Sequence, residues 1–338
     1  MPLVKKLLKL MQLPQELDYV KNPYRFTDWE QEKHVREYLL RWNHKLSVDK
    51  SGNAYLIRPD TILLCAHMDT VGSLEAQKNL HKIKLIDGAI SGTHNIGADD
   101  KCWIAIAMEL YETNPDRFSL LFTVGEESGG LWVQDFVDEH ADELRKLKYC
   151  VIADRKWSKD IIWSNNGYCT EEFNAIVHEY MKPFWYKPEI GVYCDADVLY
   201  EYLNCINVSC GYYNAHTNDE FVVVDEFQNA FNALLELTNK LDVRLDPPAH
   251  QQFSRRLIGF DTTYSGSWYK GTTYWGIKQP SYPFYTFKWE LVLTWDCCIY
   301  SEKTGMAVNL AKGTYKIDWL ENDDDEDDNE DDYEAQMY

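Results

Sequence analysis

From about residue 28 the chain alternates between apolar residues at helical spacing and short unbroken apolar runs. Residues 28–45 (DWEQEKHVREYLLRWNHK) carry the spacing of an amphipathic helix, and 47–59 (SVDKSGNAYLIRP) carry a Gly-Asn turn between strand-like flanks. Residues 61–66 (TILLCA), 118–124 (FSLLFTV), 148–153 (KYCVIA) and 206–210 (INVSC) have the length and composition of buried strands. Between them, helices are predicted over 102–113, 130–146, 195–204 and 225–241. Short apolar strands alternating with helices predict an α/β fold: a mostly parallel central sheet with helices on both faces.

The pattern changes at Asp246-Pro247-Pro248. Beyond it, aromatic segments broken by glycine and proline (TTYSGSWYKGTTYWG, YPFYTFKWELVLTW) predict an accessory β-rich region over 247–320, after a main α/β domain over 1–246. The segment 321–338 opens with ENDDDEDDNEDDYE, which cannot bury a core and is expected to be a disordered acidic tail. That tail supplies much of the net charge of −21; the body is only mildly acidic. The charge argues against nucleic acid or an anionic membrane as partner.

The nine cysteines are odd in number and lack a CxxC pair, so neither a disulfide framework nor a zinc ribbon is expected. A reducing compartment fits, and the expected location is cytoplasmic. The N-terminal MPLVKKLLKLMQLPQ lacks the unbroken apolar stretch of a signal peptide and predicts a docking helix in preference to a membrane-surface one.

Open α/β sheets build their sites beyond the carboxyl ends of the strands. Here the first strand ends in His67-Met68-Asp69 and the loop before the next helix carries Asp99-Asp100-Lys101. The later strands are followed by Glu126-Glu127, by Asp154, and by Tyr212-Tyr213-Asn214-Ala215-His216. Each has an ordinary reading alone: a half-buried core histidine, a helix cap, a solvated acidic pair, a turn residue. Jointly, five elements end in imidazole or carboxylate at one sheet edge. That is a donor set suited to zinc, with a bridging carboxylate if two ions bind. A second carboxylate beside a ligand can carry the proton that hydrolysis requires. Tyr212, Tyr213 and Asn214 are candidates for lining the pocket, though packing is the commoner use of such tyrosines. Asp195 and Asp197 are expected to cap a helix.

The motifs HMDT, GADDK and GEESGG, followed by a lone aspartate and a late histidine, resemble the co-catalytic di-zinc exopeptidases over residues 28–241. That group includes tripeptidase T, zinc aminopeptidases, aminoacylase and succinyl-diaminopimelate desuccinylase. The resemblance implies two Zn2+ ions, with Co2+ or Mn2+ as possible substitutes. It implies His67 and Asp154 as ligands of one ion, Glu127 and His216 of the other, and Asp99 as the bridge, joined to Asp100 by a cis bond. Asp69 would orient the His67 ring. Glu126 would be general base and acid as metal-bound hydroxide attacks the amide carbonyl of a short peptide.

Two departures stand out. Cys102-Trp103 replaces the small residues usual after the lysine, and should alter packing beneath Asp99. Only 62 positions separate Asp154 from His216, too few for the lid domain that the tripeptidase and aminoacylase branches insert in this part of the chain. No lid-mediated dimer is therefore expected, and an aminopeptidase or di/tripeptidase is the leading expectation. An N-acyl amino acid deacylase is an alternative on the same site, and a non-catalytic binding protein on a peptidase scaffold is the alternative of another class.

Overall fold

The computed structural model describes residues 2–14, 32–71, 74–162, 167–191 and 193–248, with four short strands between 285 and 309. Its elements run α1 (Pro2–Met11), α2 (Lys33–Trp42), β1 (Ser47–Val48), β2 (Ala54–Leu56), β3 (Ile62–His67), α3 (Leu74–Lys78), β4 (Lys84–Ile86), β5 (Ala89–Ser91), α4 (Ala98–Thr113) and β6 (Phe118–Thr123). They continue with α5 (Leu131–Leu144), β7 (Cys150–Ile152), β8 (Asp160–Ile162), α6 (Glu171–Met181), β9 (Lys187–Pro188), α7 (Ala196–Leu199), β10 (Cys205–Val208), β11 (Tyr212–Tyr213), β12 (Phe221–Val223) and α8 (Val224–Lys240). Contacts within the chain separate two units, Met1–Ser254 and Arg255–Tyr338. In the second, β13 (Tyr285–Phe287), β14 (Leu291–Thr294), β15 (Cys298–Ser301) and β16 (Ala307–Asn309) pair antiparallel in sequence order. The aromatic run 262–276 and the acidic tail lie outside the described residues.

The main sheet has the order β1-β2-β6-β3-β7-β10-β8-β9. Its centre, β6-β3-β7-β10, is parallel, and β1, β2 and β8 pair antiparallel at the margins. β3 is buried along its whole length. Leu64 and Ala66 point to the core shared with α1, α2, α4, α6 and α8, whereas Leu63 and Cys65 point to the core under α5 and α7. An unbroken apolar run is what a strand covered on both faces demands. The chain leaves β3 for β6 on one side and returns to β7 on the other, so β3 is the switch point of the sheet. A second, antiparallel sheet, β11-β12-β5-β4, stands beside it.

α1 docks on α4, burying Leu3, Val4, Leu7, Leu10 and Met11. Each such side chain contributes about 1.5–3 kcal/mol relative to exposure. Lys6 pairs with Glu109 at 2.7 Å and Glu112 at 3.0 Å, which fixes the register of the contact more than its strength. No described helix is long and apolar enough to cross a membrane.

Three helices differ from expectation, the short α3 among them because no helix is predicted over its residues. The one predicted over 195–204 shrinks to Ala196–Leu199. The unanticipated α6 begins where the Thr170 side chain accepts the Phe173 N–H, and buries Phe173, Val177 and Met181. The described residues between Asp154 and His216 form β8, α6, β9, α7, β10 and β11 of the first unit.

Candidate metal centre

His67 is the last residue of β3, and its backbone N–H donates to Asp100 Oδ2 at 3.2 Å. Its Nδ1 lies 2.9 Å from the Asp69 carbonyl oxygen and 3.3 Å from Asp69 Oδ1, leaving Nε2 to face the carboxylate cluster. There Nε2 stands 3.1 Å from Asp99 Oδ1 and 3.8 Å from Asp154 Oδ1. Asp99 comes from the first turn of α4, after Gly97 at φ +62, and the Asp99–Asp100 peptide is cis, as the resemblance implies. Its other oxygen, Oδ2, is 3.1 Å from His216 Nε2. His216 Nε2 also lies 2.8 Å from Glu127 Oε1. One carboxylate thus offers one oxygen to each of two imidazoles.

His216 sits in the β11–β12 turn at φ +66, a costly conformation for a residue with a Cβ. Glu126 and Glu127 follow β6 on a short 3-10 turn opened by Gly125 at φ +66. Their backbone N–H groups donate to the two oxygens of Asp69, at 3.1 and 3.0 Å. Asp69 therefore touches both the His67 ring and the acidic pair.

Ligand-type atoms approach within 4.8 Å of one another in three overlapping groups. These are His67 with Asp99, Asp100 and Asp154; His67 with Glu126 and Glu127; and Asp99 with Glu127 and His216. Packing so many carboxylates together is unfavourable without cations. Burial and the neighbouring carboxylates Asp154 and Glu127 push Glu126 well above the usual carboxylate range. Burial and Asp99 raise Glu127 to about 7, against the pull of His216. Burial would lower His216, but Glu127 and Asp99 outweigh it and hold the imidazole at about 11. His67 is raised likewise, its burial outweighed by hydrogen bonds to Asp154, Asp69 and Asp99. Asp100 Oδ1 is buried with no hydrogen-bond partner. Two imidazoles, a shared carboxylate and an orphaned buried oxygen form a donor set that fits divalent cations of the zinc type.

Of the three pocket candidates, Tyr212 is buried and its hydroxyl lies 3.4 Å from Asp154 Oδ1. Tyr213 instead donates to Glu226 Oε2 at 2.7 Å and stacks on Phe221. The Asn214 amide donates to the Asp219 carbonyl in the exposed turn. Neither is brought to the cluster. Asp195 makes no capping hydrogen bond; it turns inward and accepts from the Thr123 hydroxyl at 2.6 Å. Asp197 accepts the Cys194 N–H at 3.1 Å and the Tyr168 hydroxyl at 2.6 Å. Cys102 and Trp103 are both fully buried under the Asp99 turn, the indole donating to the Cys65 carbonyl.

Three buried carboxylates near the cluster have roles that sequence reasoning did not assign. Asp100 holds the His67 backbone, and Glu220 holds the loop before Asp99. Glu32, at the start of α2, accepts a hydrogen bond from the Gly125 backbone. For Asp100 and Glu220 the available signal was proximity to ligand-type residues; Glu32 carried none.

The sequence matches no protein-family model and no curated protein. Solved structures are similar in fold. Aminopeptidase PepT from Bacillus cereus superposes with a TM-score of 0.53 at 15% identity, over 70% of this chain and 97% of that one. The TET1 peptidase of Pyrococcus horikoshii, which can assemble into a tetrahedron or a large octahedral shell, gives 0.53 at 15% identity over 71% and 100%. A tripeptidase from Staphylococcus aureus gives 0.50 at 13% over 70% and 97%. This chain has the α/β fold of these peptidases, the exopeptidase-like fold that its motifs resemble.

Proposed function

We propose that the protein is a di-zinc exopeptidase that hydrolyses short peptides, acting as an aminopeptidase or di/tripeptidase. The observation that carries this reading is Asp99, whose Oδ1 and Oδ2 face His67 and His216 at 3.1 Å each. His67, Asp99 and Asp154 would hold one ion; Asp99, Glu127 and His216 would hold the other. Bound there, the ions would polarise the scissile carbonyl and make water acidic enough to attack at neutral pH.

The chain's own groups do the rest. Glu126 takes the proton of the attacking water and returns it to the leaving amine. The upward push on its carboxyl suits a base that must later serve as an acid, and bound dications oppose that push. Asp69 fixes the His67 ring through Nδ1 and holds Glu126 by its backbone. The charges weighing most on Glu126, Glu127 and Asp154 are other carboxylates and two imidazoles. The expected substrate is a soluble peptide, and the expected site of action is the cytoplasm.

Hydrolysis of free, N-blocked and C-amidated peptides by zinc-loaded protein tests this. Cleavage that requires a free amino end supports the proposal. Preference for acylated ends supports the deacylase, and inertness with metal bound supports a binding protein.

A further inference from the structure

We infer that Glu220 is a positioning residue that builds the Asp99 loop before metal arrives and ties it to the turn carrying His216. The inference rests on the metal-centre reading above. Glu220 immediately precedes β12, four positions after His216, and its side chain is buried at 1% exposure. It points into the loop before α4. Oε2 accepts the Ile96 N–H at 2.9 Å and the Gly97 N–H at 2.7 Å, and Oε1 accepts the Asp99 N–H at 3.3 Å.

Three backbone donors converging on one carboxylate are charge-assisted bonds, about twice as strong as neutral ones. They also solve a local problem. The loop must turn through Gly97 at φ +62 to deliver Asp99 between two histidines, and backbone N–H groups at a buried turn need acceptors. Lys101 supplies the opposite charge. It is buried at 2% exposure within the field of Glu220, and its Nζ crowds the Gly97 turn, 3.2 Å from where a Cβ would stand. His216 and Glu220 share one hairpin, so the same short segment places a ligand and braces the loop that carries the bridge. Asp99 would belong to both metal sites, so loosening this brace should weaken both.

A glutamine at 220 retains shape but turns an amide N–H₂ towards backbone donors. Outer partners of metal ligands typically contribute 10–100-fold in affinity. Zinc uptake by equilibrium dialysis, with thermal melting to establish folding, should show Glu220→Gln requiring at least about 10-fold more free zinc than wild type. At saturating zinc its turnover should recover to within a few-fold of wild type, which general structural damage would not produce. Glu220→Asp, one methylene short, should fall between the two.

A folded Glu220→Gln protein with wild-type zinc affinity would overturn the inference while leaving the metal centre intact. Wild-type protein that takes up no zinc would overturn the metal centre, and this inference with it. Amide exchange in metal-free wild type guards against variants that fail to fold. Ile96 and Gly97 should be protected without metal, and free exchange at both would sink the brace.

Discussion

Asp69 and Glu126 are joined backbone to side chain: the Glu126 N–H donates to Asp69 Oδ1 at 3.1 Å, while the same oxygen lies 3.3 Å from His67 Nδ1. One carboxylate couples the proposed base to the first proposed ligand. Asp69→Asn presents a donor where acceptors are needed. Zinc affinity or kcat/KM is expected to fall about 10–100-fold, read by dialysis and steady-state kinetics.

Glu126→Gln removes the proton carrier and leaves the donor set. Zinc content should match wild type while kcat falls about 10²–10⁴-fold. A variant with full turnover would move the base elsewhere.

His216→Ala takes the imidazole from one of two centres. Metal analysis should find stoichiometry dropping from two zinc ions per chain to one, with Glu127 left without its 2.8 Å partner. Retention of both ions would exclude His216 as a ligand.

Gly125→Ala tests the backbone beneath the acidic pair. Gly125 is at φ +66, and a Cβ there would run into the Trp132 ring. The left-handed conformation alone costs about 1–3 kcal/mol for other residues. A lowered melting temperature and a changed tryptophan emission are expected.

Glu32 gives a pH prediction. Burial, then the charge of Asp69, raises its carboxyl from the usual 4.5 to about 8. The fold binds this proton more tightly than the unfolded chain does. Its contribution is therefore fully present below pH 4.5 and is lost as pH rises towards 8. Metal-free wild type should lose stability across that window relative to Glu32→Gln, with a slope of at most about 1.4 kcal/mol per pH unit. Parallel urea-denaturation curves for the two proteins would disprove it.

The sheet was legible because strands buried on both faces must be unbroken apolar runs, and TILLCA and FSLLFT become β3 and β6 almost residue for residue. The elements bearing the metal-ligand candidates were legible because ligand chemistry admits few residue types, and those types recur where strands end. α6 was missed although Thr170 and the Phe173, Val177, Met181 spacing signal it; three apolar positions on one narrow stripe make a faint pattern. Asp195 misled because a carboxylate at a helix start satisfies the capping rule whichever way its side chain turns. Glu220 was legible only as a carboxylate near a ligand-type residue, not as a brace. Its partners are backbone N–H groups more than a hundred positions away, and backbone donors leave no trace in the identity of residues.

The strand order β6-β3-β7-β10 has a consequence for biosynthesis. His67 is the first of the proposed ligands to leave the ribosome, yet the strands that flank it arrive later and the histidine facing Asp99 Oδ2 comes last. A nascent chain that has not delivered the β11–β12 hairpin would hold His67, Asp99 and Asp154 of the first proposed site but lack the histidine of the second. Completion of the proposed two-ion centre would therefore be a late event, and a chain stalled before the β11–β12 hairpin would carry the proposed acid–base with only the first of the two proposed sites.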